Sequence, residues 1–279
     1  MKKINRREFL KRGGAAAAAV SGMGLLTSCN DNKKFSDTDN SVTGEMTYRT
    51  NPETDDKVSL LGYGCMRWPM IKDKDGKDIV DQETVNRLVD YAIEHGVNIF
   101  DSSPVYLEGQ SESATGIALK RHPRESYFIS TKLSNFSNST RENSINMYRQ
   151  SLKNFQTDYL DYYLLHSTKT EDIFNKRFKD NGIIDFLMEE RKAGRIRNLG
   201  FSFHGNKEGF DSMIALHEKY HWDFVLIQLN YLDWTLQKAK EKVEYLNSIN
   251  MPIWVMEPVR GGKLAKLDEA TEALVQAGM

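Results

Sequence analysis

Residues 160–166 read LDYYLLH, with Asp161 the only charge inside an otherwise apolar and aromatic run that ends on His166. The run is short and does not alternate apolar with polar. That pattern fits a strand covered on both faces rather than one half exposed to water. The residues before it, STRENSINMYRQSLKNFQ (139–156), read instead as an amphipathic helix. A helix feeding a doubly covered strand is one step of a parallel sheet wrapped by helices.

The step repeats in both directions. Further strand-like runs are VSLLGYGCM (58–66), VNIFDSS (97–103), SYFISTKL (126–133), IRNLGFSF (196–203), FVLIQLNY (224–231) and PIWVMEPV (252–259). Between them lie the helical stretches DQETVNRLVDYAIEHG (81–96), IIDFLMEERKAG (183–194), FDSMIALHEKYH (210–221) and LQKAKEKVEYLNSIN (236–250). In the first of these, Val85, Leu88, Val89, Ala92 and Ile93 fall at helical spacing. Asp81 is placed to cap its start and Gly96 to stop it. No Gly-rich nucleotide turn follows the first strand, and seven units run in one series. The expected fold is therefore α/β, a (β/α)8 TIM barrel rather than a doubly wound sheet. MTYRT (46–50) is expected to add a small hairpin at the barrel bottom. The chain ends with LDEATEALVQAGM (267–279), a helical pattern, so the eighth βα unit is expected to be lacking from residues 46–279.

The 279 residues carry a formal net charge of −1, with both signs dispersed. No basic stripe marks a nucleic-acid surface, and none is expected. Residues 1–28 hold six Lys/Arg and one acid, which leaves the remainder at −6. Ala15–Leu26 is small and apolar but too short to span a bilayer, as a signal h-region is. Arg6-Arg7 with Phe9-Leu10-Lys11 resembles a twin-arginine export signal, and Leu26-Thr27-Ser28-Cys29 resembles a bacterial lipoprotein box. The resemblance implies a signal over 1–28, recognition by the twin-arginine machinery, and a lipid on Cys29 that anchors the chain to a membrane in the cell envelope. Residues 29–45 are polar and aperiodic, a flexible tether. The second cysteine, Cys65, lies in an apolar run and reads as a buried thiol. No disulfide and no metal site are expected.

In a barrel, reactive groups gather where strands finish. The second strand ends with Asp101, with Tyr106 in the loop after it; the third ends with Lys132 and the fourth with His166. A tyrosine titrates near ~10 and is a poor acid at neutral pH, but a neighbouring ammonium favours its phenolate. A buried lysine needs a carboxylate, which Asp101 can supply. An imidazole can hold and polarise a substrate oxygen. Together they make a tuned general acid beside an orienting donor. Singly, each has a plainer reading: a loop tyrosine, a solvated strand end, a turn acid, an interior imidazole.

These four residues resemble the tetrad of the aldo/keto reductase family. SLKNFQTDYLDYYLLH (151–166), GYGCMR, FDSSPVY, GFSFHG, IQLNY and EPVRGGKL are similar to that family's segments, in the same order over about 46–265. The resemblance implies reduction of an aldehyde or ketone by NADPH, with NADH possible. Tyr106 would donate the proton, Lys132 paired with Asp101 would lower the Tyr106 pKa, and His166 would orient the carbonyl. It implies Ser202 and Gln228 at the nicotinamide carboxamide, Met256 where the family stacks a tyrosine on the nicotinamide, and the loop Pro258–Gly262, with Arg260 and Gly261, near the pyrophosphate. Three departures stand against it: Phe203 replaces the family's asparagine, Met256 its tyrosine, and the last βα unit is not seen. A second reading therefore stays open, a non-catalytic or shortened lipoprotein of this fold that binds a ligand or senses redox state.

Overall fold

The structure, a computed structural model, describes residues 45–51 and 54–267, with 269 and 272. Arg6, Arg7, Cys29 and the tether up to residue 44 lie outside the described residues. The chain divides into a unit of residues 45–261 and a second unit that takes in 1–44 and 262–279. Of the second unit, residues 262–266 form a tight turn in which the Ala265 N–H donates to the Gly262 carbonyl at 3.1 Å.

In the larger unit β1 (Tyr48–Thr50) and β2 (Lys57–Ser59) pair as an antiparallel hairpin. β3 (Tyr63–Gly64) follows, then a second hairpin of β4 (Met70–Lys72) and β5 (Asp78–Val80). The remaining elements alternate: α1 (Gln82–Glu94), β6 (Ile99–Asp101), α2 (Ser111–Leu119), β7 (Phe128–Leu133), α3 (Arg141–Phe155), β8 (Leu160–Thr168), α4 (Glu171–Phe174), α5 (Ile183–Lys192), β9 (Ile196–Phe203), α6 (Lys207–Ala215), α7 (His217–Tyr220), β10 (Phe224–Gln228), α8 (Asp233–Leu236), α9 (Ala239–Ser248) and β11 (Ile253–Met256). β3 and β6–β11 form one parallel sheet of seven strands in sequence order. This is the (β/α)8-barrel architecture, with seven of its strands among the described residues.

Two packed layers hold it. Ile99, Tyr162, Leu164, Phe224 and Leu226 fill the concave side of the sheet with Trp254 and Met256 against them. The larger core lies between the sheet and the helices, and the apolar faces of α1, α3, α5 and α6 enter it through Val85, Val89, Phe155, Leu187 and Met213. Asp81 caps α1 by accepting from the Thr84 N–H at 3.1 Å, and Gly96 ends it at φ +84°.

The first strand is shorter than its apolar run suggests. Lys57–Ser59 turns into the hairpin, and Leu60 and Leu61 are exposed. Only Tyr63–Gly64 joins the barrel sheet. α2, SESATGIAL, has no apolar stripe to betray it. It packs by small residues: a Cβ on Gly116 would sit 2.2 Å from the Asn154 carbonyl oxygen in α3. Cys65 is fully buried, and burial pushes its thiol up to about 12. Among the described residues no helix is long and apolar enough to cross a membrane.

Candidate active site

Period-two alternation sorts β7 onto its two sides. Thr131 points out, donating to the buried Glu112 of α2 at 2.6 Å. Ser130 and Lys132 point in, toward Asp101 at the end of β6. Lys132 Nζ donates to Asp101 Oδ2 at 2.6 Å and to the Ser102 carbonyl at 2.6 Å, while Ser130 Oγ donates to Asp101 Oδ1 at 2.7 Å. The ammonium is 2% exposed and its carboxylate 29%. Burial alone would push Lys132 down, but the Asp101 and Tyr106 oxygens outweigh it and hold the ammonium charged.

Tyr106 follows β6 in a loop that doubles back, with Leu107 and Glu108 at φ +51° and +55°. These left-handed residues turn the chain directly behind the phenol. Lys132 Nζ lies 5.0 Å from the Tyr106 ring centroid. The Tyr106 pKa is nevertheless raised from its ordinary value. Burial raises it most, Lys132 pulls it back, and Asp101 raises it again. The expected net lowering is not met. Lys132 acts in the expected direction, but desolvation of the phenolate is the larger effect.

His166 is aimed by a bulge. β8 pairs with β9 up to Leu165–Phe201 and resumes at Thr168–Phe203. Two residues of β8 thus face one of β9, and Ser167 takes φ +55°. The Ser167 N–H is diverted to Ser202 Oγ at 2.8 Å. Such bulges re-aim side chains at sheet ends. The His166 ring meets Tyr106 edge-on with centroids 6.1 Å apart. Its Nδ1 lies 2.5 Å from Ser134 Oγ. Burial, then Lys132, His204 and Arg177, pushes the imidazole down to about 2, so it is neutral at any working pH. Behind it the buried Arg177 donates to the His166 carbonyl at 2.8 Å and to Asn135 Oδ1.

Asp101, Tyr106, Lys132 and His166 therefore converge. The residues expected to hold a cofactor form a second group along the ends of β9–β11. Ser202 is buried beside the bulge. Gln228 pairs in register with Met256, and its Nε2 donates to Asp233 Oδ2 at 2.8 Å. Arg260 reaches the same carboxylate, with an N–O distance of 3.9 Å to Oδ1. Pro258 and Gly261 lie in the turn around it, where Glu257, Arg260 and Gly261 all take positive φ. Asp233 is fully buried and its Oδ1 has no hydrogen bond. The sequence reading missed Asp233, Ser103, Ser134, Asn135 and Arg177. Asp233 follows Asn230 within the turn YLDW, where an acid reads as a cap. Ser103 and Ser134 lie two residues and one residue past strand ends, a placement without its own signature. Among the described residues no group of three His, Cys, Asp or Glu is placed to hold a metal ion.

Comparison with known proteins shows the family and the fold. A model of the aldo/keto reductase family matches residues 60–277. "Protein tas" of Escherichia coli (strain K12) is 29% identical over 202 residues, 62% of this chain and 55% of the relative. The chain spans about half the length of the curated relatives it matches first. An aldo-keto reductase of Bacillus halodurans, solved in a holo form, superposes with a TM-score of 0.61 at 23% identity, covering 78% of this chain and 68% of the other. An aldo-keto reductase complexed with NADPH gives a TM-score of 0.60 at 19% identity, covering 81% and 67%. At those identities the structural likeness shows the fold alone.

Proposed function

The chain is a member of the aldo/keto reductase family, and from that premise we propose that it reduces an aldehyde or ketone to an alcohol with NADPH, or NADH, as the reductant. The carrying observation is the buried Lys132–Asp101 pair, at 2.6 Å, set against the Tyr106 ring with His166 alongside. The donors along β9–β11 fit a nicotinamide. Ser202 Oγ accepts from the Ser167 N–H and keeps its own proton to give; Gln228 spends its N–H on Asp233 and keeps its Oε1 to accept. A carboxamide needs one donor and one acceptor. Met256 supplies a polarizable apolar contact. The bound cofactor would supply a hydride to the carbonyl carbon.

The protein's own groups do the rest. His166, kept neutral, holds the carbonyl oxygen by a hydrogen bond from its outer nitrogen. Tyr106 gives its proton to that oxygen as negative charge develops there. Lys132 stabilises the phenolate left behind, and Asp101 keeps Lys132 charged and pointed. The raised Tyr106 pKa keeps the proton in place through neutral pH. The test is NADPH consumption with a panel of small carbonyls, alongside cofactor titration by fluorescence. Tyr106→Phe should bind cofactor and lose about 10²–10⁴-fold in turnover. Undiminished turnover in that variant overturns the assignment.

One observation favours a second reading, ligand binding without turnover. Arg260, the residue matched to the pyrophosphate loop, is drawn toward Asp233. Saturable NADPH binding with no turnover on any carbonyl would support that reading. For location, the reading supported by Arg6-Arg7 and Cys29 is twin-arginine export followed by lipid anchoring in the cell envelope. Changing Arg6 and Arg7 to Lys should stop export, and Cys29→Ala should release the protein from membranes; unchanged fractionation refutes both.

A further inference from the structure

His166 Nδ1 ends a chain of hydroxyls. Ser134 Oγ is 2.5 Å from it, Ser103 Oγ is 2.8 Å from Ser134 Oγ, and the Val105 N–H points at Ser103 Oγ at 3.5 Å. Both serines are buried, Ser103 completely. Each hydroxyl has one proton to give and two lone pairs to accept with, so three arrangements are open: all protons running toward His166, all running away from it, or Nδ1 and Ser103 both donating to Ser134.

If Nδ1 carried the proton, it would donate to Ser134, Ser134 would donate to Ser103, and the Ser103 proton would need an acceptor. The neighbours of Ser103 Oγ are the donating Val105 N–H, Ser134 and His166 Nδ1 itself, at 3.4 Å. None could accept in that direction; and if Ser103 and Nδ1 both donated to Ser134, the Ser134 proton would have no acceptor, since those two are its partners. Either way a buried hydroxyl proton would be stranded, which is costly. Run the other way, every proton is used: Val105 N–H to Ser103, Ser103 to Ser134, Ser134 to Nδ1. Nδ1 is the one group in the chain that can take a proton without giving one, and that fixes the polarity.

We propose that Ser103 and Ser134 are positioning residues that lock neutral His166 as the tautomer protonated on Nε2, making it a permanent hydrogen-bond donor toward the carbonyl oxygen. Its catalytic meaning rests on the reductase reading above; the tautomer itself does not. A neutral imidazole with a free choice of tautomer would spend part of its time presenting a lone pair to the substrate oxygen, which repels it. The arrangement supplies a donor without needing an imidazolium.

The test is a long-range proton–nitrogen NMR correlation on the full chain labelled with 15N-histidine. The His166 signals are identified, among six histidines, by their loss in His166→Asn. The expected pattern is a single tautomer with the proton on Nε2. Ser134→Ala should give averaged tautomers, Ser103→Ala a smaller move in that direction, and Ser134→Thr the unaltered pattern. A proton on Nδ1 in the unmodified chain overturns the proposal, as does an unchanged His166 pattern in folded Ser134→Ala. If Ser134→Ala does not fold, the unmodified spectrum and Ser103→Ala decide in the same way. The spectra need neither substrate nor cofactor, so a chain without turnover would refute the reductase reading and leave this one standing. In a chain that turns over, Ser134→Ala should lower kcat about tenfold, the worth of one hydrogen bond, with KM for NADPH unchanged.

Discussion

The ends of β6–β8 and the ends of β9–β11 are built differently. In the first region the polar groups used by the proposed chemistry are tied to one another: Lys132 to Asp101, Ser130 to Asp101, Ser134 to His166, Arg177 to the backbone of His166. In the second, bonding capacity is left over. Asp233 Oδ1 has no hydrogen bond, Arg260 stands 3.9 Å from it, and Glu257, Arg260 and Gly261 of the adjoining turn carry positive φ. Groups that must act on a reacting atom are fixed in advance. Groups that grip a ligand keep valences for it. Under the proposed function the division is between a preorganised half and a receptive half.

The largest effect that could break this contrast is at Tyr106. Tyr106→Phe should cost about 10²–10⁴-fold in kcat, the range for a general acid, with cofactor affinity intact. A change in cofactor affinity of similar size would mean that the two halves are not separate. Lys132→Met comes next, and should lower kcat by about 100-fold. It also moves the pH profile. Reduction needs protonated Tyr106, so the rate falls as pH rises through the Tyr106 pKa. That pKa is already raised by burial, and removing the cation that pulls it back sends the fall to still higher pH. A fall moved to lower pH would contradict the account.

On the receptive side, Gln228→Ala should weaken NADPH binding about tenfold, as loss of one hydrogen bond does, without altering kcat at saturation. Equilibrium fluorescence titration measures it, and a kcat effect larger than the binding effect would place Gln228 in the preorganised half. The smallest effect is on stability. His166 is held near 2 when folded and returns to about 6.5 when unfolded. The folded state therefore gains from neutral His166 above about 6.5 and loses that gain as pH falls toward 2, because only the unfolded chain takes up the proton. Thermal melts across that range should slope downward toward acid, and less steeply in His166→Gln.

Legibility in the sequence followed residue type more than region. β9 spans Ile196–Phe203 as its apolar run does, and β8 starts at Leu160. The tetrad residues stood out because reactive side chains at strand ends break an apolar pattern. What stayed hidden was carried by small or common residues. α2 buries Ser111, Glu112 and Thr115 where a stripe of leucines would have announced a helix. Leu60 and Leu61 read as strand core but are exposed, because hydropathy cannot show where a chain leaves one sheet for another. Tyr106 shows the limit of reading charges alone: the neighbouring cation was visible, while the burial that outweighs it was not.

Gly116 has a reach beyond its own contact. With no side chain it lets α2 lie directly on the Asn154 carbonyl of α3. One turn earlier, Glu112 grips Thr131 from outside the sheet and is itself gripped by Ser151 and Asn154 of α3. Thr131 is the residue next to Lys132. The helix pair thus works as a mooring: the line runs from the outer wall, through one threonine, to the adjacent residue whose ammonium faces inward. A methyl group at 116 would slacken that line, and the disturbance would surface on the far side of the sheet, in the pointing of a cation that the added carbon never touches.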